Sequence, residues 1–390
     1  MLAWQRLAAA CLLLAISPCA FSCRQIIGIE PEVDGSDAGA PGRGESADAS
    51  QLCQRYCETV MSNCTGEYAA YESTQACLEM CALLPAGDEA KPNYTNTVNC
   101  RLARAKEAEF AQDSNCASAG PGGNGVCGSN CEAYCSLSQS ICPVQVSDFS
   151  PERCVQTCPA LKDGLATQTT TDQKGDTVAC RFVQLSRAIS AADSATRDAD
   201  CDGASLRSPV CLDDFSQVPS CEALCRFVLV TCQEQEAVYE DLDQCMATCQ
   251  VLDSGHHGDL TENTVGCRLY RARNAAIDPS AQCPQAGPGG DGHCGASASN
   301  QATGNCDSLC RIVHHGCVEQ FNAAFEGDEV SCAASCSELE GAGRNSGYSV
   351  MSAELGGNNV ACRMLHAVRA LTDDGASCEA AFGGAPCVAP

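Results

Sequence analysis

The sequence predicts a mainly α-helical chain: four tandem disulfide-braced helical modules, each a helical hairpin plus a third helix and a Gly-rich disulfide loop. Three observations lead there. Of 35 cysteines in 390 residues, 32 fall into four sets of eight after residue 50, and in every set the first, second and fourth gaps are three, six and three residues. Cysteines at i, i+4 and i+11 lie within about 40 degrees of one another on a helix turning about 100 degrees per residue, so each set opens with a stripe on one helix face. Aromatic residues make up only 5% of the chain. A module with so thin a core is marginal alone, and disulfides of about 2–4 kcal/mol each decide whether it folds.

Taken in order, residues 1–22 read as an export signal. Arg6 gives the positive start, Leu7 to Ile16 the apolar core, and Ser17-Pro18 the break before a small-residue site at Ala20 and Ser22. The same stretch, Ala20-Phe21-Ser22-Cys23, is an imperfect lipobox that would make Cys23 the acylated first residue of a bacterial lipoprotein; the alternative is plain secretion. Residues 23–50 then serve as the tether of that anchor. From Glu30 to Ser50 they are rich in Gly, Ala, Ser, Asp, Glu and Pro without apolar periodicity, which predicts disorder. Export places the chain where disulfides persist.

The four modules span 51–128, 129–219, 220–295 and 296–390. Their cysteines are Cys53, Cys57, Cys64, Cys77, Cys81, Cys100, Cys116 and Cys127; Cys131, Cys135, Cys142, Cys154, Cys158, Cys180, Cys201 and Cys211; Cys221, Cys225, Cys232, Cys245, Cys249, Cys267, Cys283 and Cys294; and Cys306, Cys310, Cys317, Cys332, Cys336, Cys362, Cys378 and Cys387. First cysteines are 78, 90 and 85 residues apart. Fixed periodicity of this length marks a repeat protein. The set accounts for the odd total: Cys11 and Cys19 leave with the signal, and Cys23 takes the lipid.

Asn130, Ser220 and Asn305 precede first cysteines and are the expected N-caps of the first helix. Glu132, Glu222 and Asp307 follow in its first turn, where the helix dipole favours a carboxylate. Ser150-Pro151-Glu152 starts a second helix carrying the other Cys-x3-Cys pair. Tyr71, Phe149, Tyr239 and Phe325 precede these pairs and are expected to fill the hairpin's end. A third helix opens at Asn96-Thr97-Val98-Asn99-Cys100-Arg101, Asp176-Thr177-Val178-Ala179-Cys180-Arg181, Asn263-Thr264-Val265-Gly266-Cys267-Arg268 and Asn358-Asn359-Val360-Ala361-Cys362-Arg363, each led by a capping-type residue. The shared arginines, Arg101, Arg181, Arg268 and Arg363, suit either an anionic ligand or a salt bridge inside the repeat. The salt bridge is the simpler expectation, with Glu132, Glu222 or Asp307 as partner. Loops such as Ala119-Gly120-Pro121-Gly122-Gly123-Asn124-Gly125 and Ala286-Gly287-Pro288-Gly289-Gly290-Asp291-Gly292 lack the Lys-Ser/Thr of a phosphate cradle and read as turns stapled by their own disulfide. Eight cysteines allow 105 connectivities, and spacing alone selects none.

The paired Cys-x3-Cys helices resemble, over about 30 residues per unit, the twin motif of small mitochondrial intermembrane-space chaperones. The resemblance implies Cys53–Cys81 and Cys57–Cys77, likewise Cys131–Cys158, Cys135–Cys154, Cys221–Cys249, Cys225–Cys245, Cys306–Cys336 and Cys310–Cys332. With the last two cysteines local to the loop, as Cys116–Cys127, Cys201–Cys211, Cys283–Cys294 and Cys378–Cys387, the remainder are Cys64–Cys100, Cys142–Cys180, Cys232–Cys267 and Cys317–Cys362. Arg24-Gln25-Ile26-Ile27-Gly28-Ile29-Glu30 after Cys23, together with the Thr-Val-x-Cys-Arg-Leu and Ala-Gly-Pro-Gly-Gly-x-Gly motifs, resembles predicted cysteine-rich repeat lipoproteins of myxobacteria, for which no activity is implied.

A formal charge of −26 excludes a general nucleic-acid binder. Beyond the N-terminus no apolar stretch is long enough for a transmembrane helix. Motifs for covalent haem, a zinc protease, a serine-hydrolase elbow or Cys-x2-Cys redox catalysis are absent from the sequence. His256, His257, His293, His314, His315 and His366 do not recur between repeats and read as surface residues, so no metal ligands and no cofactor are expected. Asp213-Asp214, Asp373-Asp374 and Glu326-Gly327-Asp328-Glu329 offer oxygen ligands for weak calcium binding, though without a twelve-residue loop; a solvated acidic surface is the simpler account. The expectation is therefore a non-enzymatic envelope-anchored protein with a structural or binding role. Its partners are a lipid bilayer through Cys23 and a protein or glycan ligand. The alternative is a secreted or periplasmic enzyme or redox protein with a site between repeats.

Overall fold

Four helices recur in each repeat, and Ser, Thr and Asp side chains fix most of their starts. The computed structural model describes residues 43–92, 95–145, 150–162, 170, 173–212, 218–295, 304–343 and 345–388. Cys23, Phe149, Asp213 and Asp214 lie outside these residues, as do Cys11 and Cys19. Repeat 1 holds α1 (Arg43–Asn63), α2 (Thr74–Cys81), α3 (Val98–Glu107) and α4 (Gln112–Ala119). Repeat 2 holds α5 (Asn130–Ile141), α6 (Pro151–Thr157), α7 (Val178–Ile189) and α8 (Ser194–Ala204). Repeat 3 holds α9 (Cys221–Thr231), α10 (Leu242–Gln250), α11 (Val265–Ala275) and α12 (Pro279–Ala286). Repeat 4 follows with α13 (Gly304–Gly316), α14 (Val318–Phe325), α15 (Glu329–Cys336), α16 (Val350–Ala353), α17 (Val360–Ala370) and α18 (Cys378–Ala381). Only isolated β-bridges occur among the described residues.

The chain is thus mainly α and disulfide-braced, with three departures from expectation. Residues 43–50 of the expected tether are the first turns of α1, where Glu45, Ala47 and Ala49 are good helix formers. The last two cysteines of a repeat do not flank a simple loop, because the seventh sits on a fourth helix: α4, α8, α12 or α18. Its start signal is present as Asp193, which accepts from Thr196 N, and as Asp278-Pro279, where Asp278 accepts from Ala281 N. Repeat 4 inserts α14 in its hairpin.

Caps are partly as expected. Ser220 accepts from Ala223 N, and Ser150 from Arg153 N with Pro151 at the first position. Asn130 and Asn305 are not caps. Ser129 caps α5, and both asparagines are the buried residues immediately before a first cysteine. Asn130 accepts from Asn124 N at 2.8 Å; the Asn305 amide donates to Gly341 O and Gly343 O at 2.9 and 2.8 Å. At the third helix the cap is the second motif residue, Thr97, Thr177, Thr264 or Asn359, which accepts from the cysteine amide three residues on. The motif valine has its own task. Val98, Val178, Val265 and Val360 donate their N–H to Pro85 O, Lys162 O, Asp253 O and Glu340 O at 2.8–3.1 Å, tying each third helix to the chain leaving the second.

Disulfides occupy the core. In each repeat the outer and inner pairs of the hairpin are first-to-fifth and second-to-fourth: Cys53–Cys81 and Cys57–Cys77, Cys131–Cys158 and Cys135–Cys154, Cys221–Cys249 and Cys225–Cys245, Cys306–Cys336 and Cys310–Cys332. The other two pairs correct the expected scheme. The third cysteine joins the seventh, in Cys64–Cys116, Cys142–Cys201, Cys232–Cys283 and Cys317–Cys378. The sixth joins the eighth, in Cys100–Cys127, Cys180–Cys211, Cys267–Cys294 and Cys362–Cys387. Cys64–Cys100, Cys116–Cys127 and their counterparts are not formed. The physical reason is the fourth helix, which lays the seventh cysteine against the end of the first helix and leaves the eighth to reach the third.

Tyr71 and Tyr239 are buried beside these bonds, and Phe325 packs at the core's edge. Tyr71 shares a 2.8 Å hydrogen bond with Tyr56, whose ring meets it edge-on; a Tyr56 contact to Ala119 O at 2.6 Å carries the link to α4.

Repeats 1 and 2 meet as repeats 3 and 4 do. Arg187 clasps Glu72 with Nε and Nη2 at 2.8 and 2.6 Å, and Arg369 clasps Glu240 in the same two-pronged way. Thr170 N donates to Ala69 O, and Val350 N to the equivalent Ala237 O, both at 2.7 Å. Repeats 2 and 3 meet differently: Arg226 Nε donates to Ala160 O at 2.9 Å, Lys162 pairs with Glu222 at 3.0 Å, and Arg273 reaches Asp176.

Candidate functional site

The arginine shared by all repeats is the one chemical group that the repeat machinery aims at a single place. The motif cysteine before it is bonded to the repeat's last cysteine, which draws the Gly-rich segment across the third helix. Arg101, Arg181 and Arg268 are fully buried there. Arg101 donates Nε to Gly120 O at 3.0 Å, Nη1 to Thr97 O at 3.2 Å, and Nη2 to both Pro121 O and Asn96 Oδ1 at 2.7 Å. Arg268 repeats this with Gly287 O, Thr264 O, Pro288 O and Asn263 Oδ1, and adds Ser308 Oγ of the next repeat at 3.0 Å. A guanidinium is suited to such a cage because its donors form a fixed planar fork.

The expected salt bridge to Glu132, Glu222 or Asp307 is therefore not how these arginines are held. Their constant side-chain partner is the first motif residue, Asn96, Asp176, Asn263 or Asn358, five residues earlier. That residue is free to serve because the following Thr or Asn does the capping. Glu222 instead pairs with Lys162 and Arg226, and burial raises the pKa of Asp307. The loop's carbonyls hold a cation, the inverse of a phosphate cradle. Glycine is required: Gly123 and Gly290 have φ of 77° and 72°, and a Cβ on Gly123 would stand 2.1 Å from Cys127 O.

Burial lowers the pKa of Arg101, and brings that of Arg268 down to about 10, with no carboxylate bonded to either. Repeat 2 is different. Arg181 donates to Ser205 O at 3.0 Å, Leu206 O at 3.4 Å and Asp176 Oδ1 at 2.8 Å. Asp176 is fully buried, accepts from Arg273 of repeat 3 at 3.0 Å on its other oxygen, and lies 4.0 Å from Arg226. Burial pushes the Asp176 carboxyl up, but Arg273 and Arg181 outweigh it and hold the pKa below the ordinary value. In repeat 4 Arg363 is half-buried and keeps Asn358 at 2.7 Å, while its Nε has no hydrogen-bond partner.

The acidic and histidine candidates are dispersed. Asp328 caps α15, Glu329 takes the His314 Nδ1 contact at 2.9 Å, and Asp373 accepts from Ser377. His314 stacks on Phe321 with ring centroids 4.4 Å apart. Cys362, His366 and Cys387 form a cluster with metal-ligand distances, but the two sulfurs are bonded to each other and offer no thiolates.

A cleft of about 320 Å³ opens where repeat 2's last loop faces α11 of repeat 3, lined by Arg207, Ser208, Leu212, Leu269, Tyr270 and Arg273 among others. Sequence reading missed it, since its two arginines belong to different repeats and neither recurs.

No helix among the described residues is long and apolar enough to cross a membrane. No curated protein and no solved structure matches the chain. Residues 27–131 and 211–298, just under half of the chain, match the family model described as the BfoA family C-terminal domain. Each matched stretch holds one complete eight-cysteine set, repeat 1 in the first and repeat 3 in the second. The chain is thus similar to that domain twice over, one repeat to each copy.

Proposed function

We propose that this protein is a non-enzymatic, exported scaffold that presents binding surfaces from four covalently closed repeats, held to a lipid bilayer by an acylated Cys23. The observation that carries the reading is the fate of the reactive groups. All 32 repeat cysteines are spent in sixteen bonds of one pattern, and three of the four repeat-shared arginines are turned inward onto backbone. Sixteen disulfides fit an oxidising, extracytoplasmic compartment. Variation is left to the outer faces and junctions, where a protein or glycan ligand would dock.

Alkylating the unreduced, denatured protein and weighing it tests the scaffold. No modified cysteine from Cys53 to Cys387 is expected; two or more free thiols would favour a redox or enzymatic role instead. The mass of the native N-terminal peptide tests the anchor separately. A diacylglyceryl group on Cys23 supports it, and an unmodified Cys23 or a different cut means secretion.

A further inference from the structure

We propose that the cleft between repeats 2 and 3 binds an organic anion, a carboxylate on a small apolar or aromatic body. The inference deepens the binding reading above and rests on it. In a chain of formal charge −26, no acidic residue is among the described residues that line this cleft, whereas Arg207 and Arg273 both face it. Arg273 is nine-tenths buried, and its Nε has no hydrogen-bond partner. Its remaining contacts pin it in place: Nη2 is on Asp176, and its guanidinium carbon lies 5.2 Å from the centre of the Phe227 ring. Asp176 is already shared with Arg181, so one carboxylate faces two buried guanidiniums and Arg273 is only half neutralised.

Arg207 completes the head-group site from the other wall. It is steadied by Asn274 Oδ1 at 3.1 Å and pairs with no carboxylate among the described residues. Field lines concentrate in a cleft lined by one sign of charge, so an incoming anion gains more there than on the open surface. The rest of the wall is not built for a bare ion: Leu212, Leu269 and Tyr270 supply an apolar side. The volume is that of a small-molecule site. Repeats 1 and 3 have Gly122 and Gly289 where repeat 2 has Arg207, and the counterparts of Arg273 are Lys106, Ser186 and Val368, so the site occurs once.

Calorimetry on the full mature chain, with phenylacetate as probe, reads the proposal. Saturable one-to-one binding is expected, with phenylacetamide and inorganic phosphate much weaker. Arg207→Ala, which leaves the buried Asp176 cluster intact, should weaken phenylacetate about tenfold or more. Arg273→Gln should do the same if it folds, and Arg207→Ala stands without it. Unchanged affinity in Arg207→Ala, equal binding of phenylacetamide, or tighter binding of phosphate overturns the inference. Binding that appears only in an Asp213→Asn/Asp214→Asn variant overturns it too, since the chain's own carboxylates would then be the occupant. The thiol count and the Cys23 mass are independent of all these outcomes, so the scaffold reading survives or fails on its own.

Discussion

Repeats 1 and 3 bury their shared arginine without a counter-ion, whereas repeat 2 buries its own against Asp176. The difference follows from the loop. In repeats 1 and 3, Gly-Pro-Gly-Gly presents its first two carbonyls to the guanidinium and the second comes to 2.7 and 2.9 Å, so a neutral asparagine completes the cage. In repeat 2 the loop reads Ser205-Leu206-Arg207-Ser208, and the second carbonyl stands back at 3.4 Å. A carboxylate makes up for the weaker dipoles, and its second oxygen is then available to an arginine of the neighbouring repeat. The lesson is that one position, Asn or Asp ahead of the cap, decides whether an arginine node reaches the next repeat through an ion pair, as Asp176 reaches Arg273, or through neutral groups alone, as Arg268 and Asn263 reach Ser308.

The sharpest break is Asp176→Asn, which gives repeat 2 the residue of repeats 1 and 3. Arg181 keeps an acceptor, but Arg273 loses its charged partner inside the protein, and chemical unfolding with disulfides intact should show a loss of about 3–5 kcal/mol. A loss below about 1 kcal/mol would mean that the ion pair from Asp176 to Arg273 contributes little to holding repeats 2 and 3 together.

The same carboxylate sets a pH dependence. Its folded pKa lies below the unfolded value of about 4, so its contribution is present above pH 4 and is lost as pH falls through the folded pKa. The stability difference between the native chain and Asp176→Asn should therefore shrink below about pH 4. A difference that stays constant to pH 2 would count against an ionised Asp176.

Arg268→Lys comes next. A lysine cannot span Nε and Nη acceptors together, so the cage loses charged hydrogen bonds and about 1–3 kcal/mol. Arg363→Lys in the half-open node should cost about 1 kcal/mol or less, and equal effects would erase the distinction between closed and open nodes.

Smallest are Glu72→Gln and Glu240→Gln. These partly exposed clasps should lose under about 1 kcal/mol each, less at high salt. Matching values would support treating repeats 1–2 and 3–4 as copies of one pair.

Much of this was legible because cysteine spacing on a helix is geometry. The stripe at i, i+4 and i+11 and the capped Ser150-Pro151 start led to the right helices, and the twin Cys-x3-Cys pairs to the right partners. What escaped depended on tertiary closure. Asn96 and Asp176 look like caps because Asx residues usually cap, yet the next residue outcompetes them. Cys116 and Cys127 look local because they are close in sequence, but a helix holds one of them away. The cleft at Arg207 and Arg273 joins side chains 66 positions apart that no periodicity links.

The third-to-seventh pairing has a topological effect. In repeat 1 the loops closed by Cys53–Cys81, Cys64–Cys116 and Cys100–Cys127 overlap end to end, so a protease cutting anywhere from Cys53 to Cys127 leaves its two products covalently joined. Had Cys64 bonded Cys100 and Cys116 bonded Cys127, a tryptic cut at Arg104 would release a fragment. The same chain-mail runs through all four repeats, and its only open links are the short stretches between Cys127 and Cys131, Cys211 and Cys221, and Cys294 and Cys306. Outside a reducing environment, a single cut in the repeat region can therefore part whole repeats from one another but cannot split one in two.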